Sequence, residues 1–239
     1  MQVLFLGTSH GVPEERQFCS GVLLRSGDHT YLIDAGAPVS ALLRRYHIEH
    51  ESVRGVFVTH MHDDHFTGLV EFSALLTWYF KKADPEILLP EQKGIDLLDY
   101  WLDTMYGADR RPLRMRVYEP GVIFDDGCLR VTARPTQHMP HANAFVCEME
   151  GKRLLFTGDM SGSYAEYPSL LNGEQFNLVV CEGAHHSPYS ECAEIFAPTR
   201  TDRLLVTHYT PAHGEAVKAF AKRMPFPCAL AYDGMTVEL

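Results

Sequence analysis

The stretch Val58-Thr59-His60-Met61-His62-Asp63-Asp64-His65 constrains this chain more than any other. Three imidazoles and the Asp64 carboxylate fall within six consecutive positions, directly after the apolar run Gly55-Val56-Phe57-Val58. A solvated loop has no use for such crowding, whereas a metal site does. On an extended strand end His60 and His62, two apart, point the same way, while Asp64 and His65 follow in a turn and aim at a second point nearby. Two adjacent metal ions are the natural reading, and the fold must bring further ligands to that strand end.

Candidates for those ligands also follow expected strands. His138 comes after the strand Cys128–Ala133, Asp159 after Arg153–Thr157, and His208 after Leu204–Thr207. His141, three residues beyond His138, competes with it for the same role. The rest of the chain reads as strands at Val3–Leu6, Val22–Arg25, Thr30–Ile33, 55–59, Ile87–Leu89, Met115–Tyr118, Val122–Phe124, Ala144–Met149, Leu178–Cys181, near Ala229 and at Thr236–Glu238. Helical spacing marks residues 38–47, 66–82, 94–106, a segment through Cys192–Phe196 and 215–223. Strands dominate each half, with helices between and after them. That order predicts an α/β (α+β) protein, an αββα sandwich of two mixed β-sheets flanked by helices, as a single domain over 1–239.

The His-x-His-x-Asp-His run His60–His65, the Gly-Asp pair Gly158-Asp159 and the late His208 in Val206-Thr207-His208-Tyr209 together resemble the metallo-β-lactamase-fold hydrolase superfamily. Within it, Leu6-Gly7-Thr8-Ser9-His10-Gly11, Tyr31-Leu32-Ile33-Asp34-Ala35-Gly36 and Asp233-Gly234-Met235 resemble the ribonuclease Z and phosphoribosyl cyclic phosphodiesterase branch. The resemblance implies that His60, His62 and His138 hold one metal and that Asp64, His65 and His208 hold the other, with Asp159 bridging. It also implies that Asp34 supports a ligand histidine by accepting its second N–H. The implied cofactor is a pair of divalent ions, zinc first, with manganese or iron as alternatives. Three features depart from the branch. The interval from His138 to Asp159 leaves no room for the long tRNA-gripping arm of ribonuclease Z, Cys181-Glu182 stands where that enzyme has His-Glu, and Cys19 alone stands where the cyclic phosphodiesterase has a cysteine-rich zinc site.

The expected activity is hydrolysis of a small phosphodiester by attack of a metal-bridging hydroxide, with Asp64 and Asp159 at the metals and Glu182 or His185 as general acid. The alternatives are a carboxylic ester, thioester or lactone hydrolase using the same site, and a metal-binding or sensing protein without turnover. A formal charge of −10 argues against long nucleic acid as a partner. The cluster Arg110, Arg111, Arg114 and Arg116 reads as a solvated helix-to-strand connection rather than a phosphate grip. Six scattered cysteines without a C-x-x-C pair read as reduced, and nowhere do 18 apolar residues run together, so no membrane span and a cytoplasmic location are expected. Oligomeric state is not legible.

Overall fold

Many strands here are continuous apolar runs rather than alternating ones, as expected when a sheet is covered on both faces. A computed structural model, which describes residues 1–183 and 189–239, shows that cover. The first half runs through β1 (Gln2–Gly7), β2 (Gly21–Ser26), β3 (His29–Ile33), helix α1 (Val39–Arg45), β4 (Val53–Phe57), α2 (Asp63–Trp78), β5 (Glu86–Leu89), α3 (Gln92–Tyr106) and β6 (Arg114–Val117). The second runs through β7 (Gly121–Asp125), β8 (Leu129–Pro135), β9 (Asn143–Met149), β10 (Lys152–Phe156), α4 (Tyr167–Leu171), β11 (Leu178–Glu182), α5 (Tyr189–Phe196), β12 (Leu204–Thr207), α6 (Gly214–Ala221) and β13 (Cys228–Leu230). Strand β14 (Thr236–Glu238) then returns to pair with β1.

Among the described residues two seven-stranded sheets result, ordered β14-β1-β2-β3-β4-β5-β6 and β13-β12-β11-β10-β9-β8-β7. Both are mixed. Pairings among β1, β2 and β3, and from β7 to β10, are antiparallel, while β3 to β6 and β10 to β13 are parallel. Alternate residues of one strand enter different cores. Val3, Phe5, Tyr31 and Phe57 meet Val131, Phe145 and Leu154 between the sheets, whereas Leu4, Leu6, Leu32 and Val56 meet Leu42, Phe72 and Leu98 of α1, α2 and α3. On the far side Val146, Leu155 and Val179 pack against Tyr167, Phe196 and Phe220 of α4, α5 and α6. The layers are therefore α, β, β, α, as the sequence predicts. Phe57 and Phe145 are fully buried in the central core, and truncating either to alanine costs about 3–5 kcal/mol.

Parallel strands joined by helices all end on the same edge, and ligands of such sheets bind beyond the carboxyl ends. Here the C-terminal ends of β3, β4, β8, β10, β11 and β12 lead to Asp34, His60, His138, Asp159, Glu182 and His208. No helix among the described residues is long and apolar enough to cross a membrane. Among the described residues Cys19, Cys128, Cys147 and Cys228 form no disulfide.

Candidate metal centre

The first half brings its side chains through one connection. Beyond β4 the chain continues through Val58 and Thr59 to His60 and His62, and α2 begins at Asp63. The apolar spacing predicts this helix from Phe66, because its apolar stripe starts there; the polar first turn hides the earlier start. Asp64 and His65 thus lie in the first turn of a helix rather than in a loop, where acidic residues favour the positive end of the helix dipole. The loop after β3 closes on that turn, with Ala35 N donating to His65 O at 2.8 Å. A Cβ at Gly36 would fall 1.6 Å from Asp64 O, so only glycine allows this approach.

The second half uses separate strand ends. His138 sits in a loop closed by Thr136 N donating to Ala142 O at 2.9 Å. Asp159 follows Gly158, where φ is +57° and an added Cβ would fall 2.8 Å from Asn143 O, which excludes a side chain. His208 follows β12 directly and is itself left-handed, with φ at +52°.

These residues converge. Donor atoms of His60, His62, His138 and Asp159 lie within 4.8 Å of one another, and so do those of Asp64, His65 and His208. His62 Nδ1 is 3.1 Å from His60 Nε2 and 3.0 Å from His138 Nε2. His208 Nε2 is 2.9 Å from Asp64 Oδ2, and Asp159 reaches both groups, lying 3.6 Å from His138 Nε2 and 3.3 Å from His65 Nε2. His141 is exposed and outside both groups, and Asp63 is exposed as well. Glu182 is buried and shares a narrow cavity with Asp159, His208, His65, Asp34 and Thr59, but its Oε1 accepts from Met160 N at 3.2 Å. His185 lies outside the described residues.

The electrostatics suit a cation. Burial, reinforced by the neighbouring His65, pushes His60 down to about 2, which leaves a neutral imidazole able to donate a lone pair. Burial opposes charge on His65, yet the Asp159 and Asp34 carboxylates outweigh it and hold this imidazole well above its ordinary value. Burial would likewise raise Asp64, but the hydrogen bond from His208 and the facing His65 imidazole keep it ionised. Asp159 is also held low, where the charges of His208 and His65 overcome burial. The fit to metal is visible at His65. Its Nδ1–H donates to Asp34 Oδ2 at 2.8 Å, while its Nε2 is sealed from solvent and makes no hydrogen bond among the described residues. With its Nδ1 proton held from behind, His65 presents Nε2 among carboxylates, where a divalent ion would take the place of the second proton that those carboxylates favour.

Four contributors carry no local sequence signal. Thr59 N and Oγ1 both donate to Asp34, and Oγ1 also lies 3.1 Å from His60 Nδ1, so one hydroxyl touches the supports of both groups. The carbonyls that precede His60 are held in turn: Tyr118 OH donates to Val58 O at 2.8 Å and Asn143 N to Thr59 O at 3.0 Å. Glu166 accepts from the loops of His138 and Asp159. The arginine cluster holds the scaffold, Arg110 pairing with Asp99 and Asp103 and Arg111 with Asp84. Arg110 is not solvated as expected. Its side chain is 7% exposed because it folds back on α3 to reach both aspartates.

Two sheets flanked by helices, with a His/Asp cluster across their strand ends, define a metal-dependent hydrolase of the metallo-β-lactamase fold. The human tRNase Z short form matches 100% of this chain and 99% of its own at TM-score 0.77 and 22% identity. The metallo-β-lactamase fold protein YhfI of Bacillus subtilis matches the same shares at TM-score 0.80 and 21% identity. A ribonuclease Z of Cyanothece sp. is 24% identical over 100% of this chain and 96% of its own length. In other ribonuclease Z relatives the matched stretch spans between 34% and 60% of their length. The chain belongs to the family described as anti-Pycsar protein Apyc1, whose model matches residues 1–226.

Proposed function

We propose that this chain is a binuclear hydrolase of small phosphodiesters. The observation that carries the reading is the pair of donor groups that meet at Asp159. His60, His62, His138 and Asp159 are assigned to one ion and Asp64, His65 and His208 to the other, with zinc first and manganese or iron also compatible with the donors. The chemistry such ions supply when bound is a water whose pKa falls from about 15.7 towards about 7, together with positive charge against the phosphoryl oxygens. Both halves of the chain supply donors, so residues 1–239 act as one functional unit.

The protein's own side chains do the positioning. Asp34 fixes the proton of His65 on Nδ1 and presents Nε2 to the centre. Glu182 is held by Met160 N and orients the Asp159 loop, which leaves His185 as the proposed donor to the leaving group. The second sheet favours a small substrate. The stretch between His138 and Asp159 is consumed by a short loop and the β9–β10 hairpin, with no segment left over for an arm. Arg110, Arg111, Arg114 and Arg116 face carboxylates of their own chain, which favours a small phosphodiester over a long polyanion.

The test is a substrate panel on zinc- or manganese-loaded protein: bis-p-nitrophenyl phosphate, cyclic mononucleotides, a precursor tRNA, a thioester and a lactone. Cleavage of the first two, abolished by chelation and restored by metal, is expected. Within that panel His185→Ala should slow the cyclic nucleotides, whose leaving group needs a proton, more than the p-nitrophenyl ester, whose leaving group does not. Turnover confined to the thioester or lactone would overturn the phosphodiester reading. Metal binding without any turnover would make the chain a binding protein.

A further inference from the structure

Outside the donor groups, one buried carboxylate touches both loops that bring the second sheet's share of the first group. Glu166 precedes α4 and is 4% exposed. Its Oε1 accepts from Gln137 N at 3.0 Å and from Ser161 N at 2.7 Å, and its Oε2 accepts from Ser161 Oγ at 2.6 Å. Gln137 adjoins His138, and Ser161 lies two residues beyond Asp159. The two loops leave different strands, β8 and β10, and neither reaches the other through regular sheet pairing at these positions.

We propose that Glu166 is a positioning residue for the metal centre, a clamp that fixes the His138 loop against the Asp159 loop and so sets the distance between those two donors. The inference rests on the metal-binding reading above. Geometry supports it in two ways. Hydrogen bonds to an ionised acceptor are about twice as strong as neutral ones, and here three of them converge on one side chain. The neighbouring amide, Met160 N, is bound independently by Glu182, so consecutive amides after Asp159 are held from two directions: β11 and the start of α4. Asp64, His65 and His208 lie on neither clamped loop and meet them only through Asp159, whereas the first group draws both His138 and Asp159 from them. Loss of the clamp should therefore act unequally on the two ions.

The experiment is a titration of metal-free full-length protein with zinc against a competing chelator, in the wild type, Glu166→Ala, Glu166→Asp and Glu166→Gln, with circular dichroism and thermal unfolding alongside. Wild type should bind two equivalents. Glu166→Ala should weaken one equivalent by about 10–100-fold and leave the other within a few-fold, the range seen when a residue behind a metal ligand is lost. Glu166→Gln keeps Oε1 for the two amides and should recover most of the affinity. Glu166→Asp, one methylene shorter, reaches only one loop and should behave as the alanine variant does; it carries the test if Glu166→Ala does not fold. A folded alanine or aspartate variant that binds both equivalents as tightly as wild type would overturn the clamp. So would equal weakening of both equivalents, or a glutamine variant no better than alanine. A wild type that takes up fewer than two equivalents would instead overturn the binuclear reading, and the clamp with it.

Discussion

The two sheets reach the centre by unlike routes. The first delivers His60, His62, Asp64 and His65 from a single connection between β4 and α2, where one strand end and one helix start fix all four. The second delivers His138, Asp159 and His208 from three strand ends, each with its own device: the Glu166 clamp, the Glu182 anchor and a left-handed backbone at His208. Local backbone geometry suffices where donors are contiguous. Where they are dispersed, long-range polar contacts must do the same task, so the second half should be the more sensitive to loss of a single group.

The sharpest way to break this comparison is Asp159→Asn against His62→Ala. Asp159 is buried between the two groups, whereas His62 is exposed at the rim. Removing a carboxylate that several histidines face should cost several kcal/mol of transition-state stabilisation, or about 10³-fold in kcat/KM on bis-p-nitrophenyl phosphate. His62→Ala should lose less. An equal or larger loss at His62 would show that the contiguous half is no more robust than the dispersed one.

A smaller effect is expected at Asp34, the support behind the first half. Asp34→Asn removes the charge that faces His65 Nδ1 and should lower metal affinity about 10–100-fold in a chelator titration. Unchanged affinity would mean that the β4–α2 connection needs no help from β3.

The smallest effect tests a histidine of the first half that no second-half strand end approaches. His50 is buried, stacked on Phe80 at 3.5 Å between ring centroids, with Nε2 making no hydrogen bond among the described residues. Burial lowers its pKa, with Arg44 adding to this and Glu51 and Glu49 opposing it. The unfolded chain therefore takes up this proton more readily. Stability from a neutral His50 is fully present above the unfolded value near about 6.5 and is lost as pH falls from there towards the lower folded value. His50→Phe should flatten that acid limb in denaturant unfolding by at most about 1.4 kcal/mol per pH unit, the slope of one proton. An unchanged slope would show that His50 protonates in place.

How much of this was legible follows the same division. The β4–α2 cluster could be read directly because its donors adjoin an apolar strand, and most strands stood out as apolar runs. Helix α4 did not, since five residues at Tyr167–Leu171 are too few to show a period. The start of α2 was hidden by its polar first turn. Thr59, Tyr118, Asn143 and Glu166 were invisible for a different reason. Each is an ordinary polar residue locally, and its importance lies in contacts with distant positions, as between Glu166 and Gln137 or Tyr118 and Val58. Arg110 misled through composition, since a basic cluster does not reveal that α3 carries its counter-charges.

The left-handed backbone at His208 and Asp34 matters for anyone engineering this protein. Non-glycine residues in that region cost about 1–2 kcal/mol each, so a glycine at either position would relieve the backbone. At 34 that relief would be outweighed by loss of the acceptor for Thr59 N, Thr59 Oγ1 and His65 Nδ1, and at 208 by loss of the partner of Asp64 Oδ2, so polar contacts rather than backbone propensity hold both residues. A stabilised library should keep both positions fixed and seek its gains in the outer layers, where robustness and chemistry do not compete.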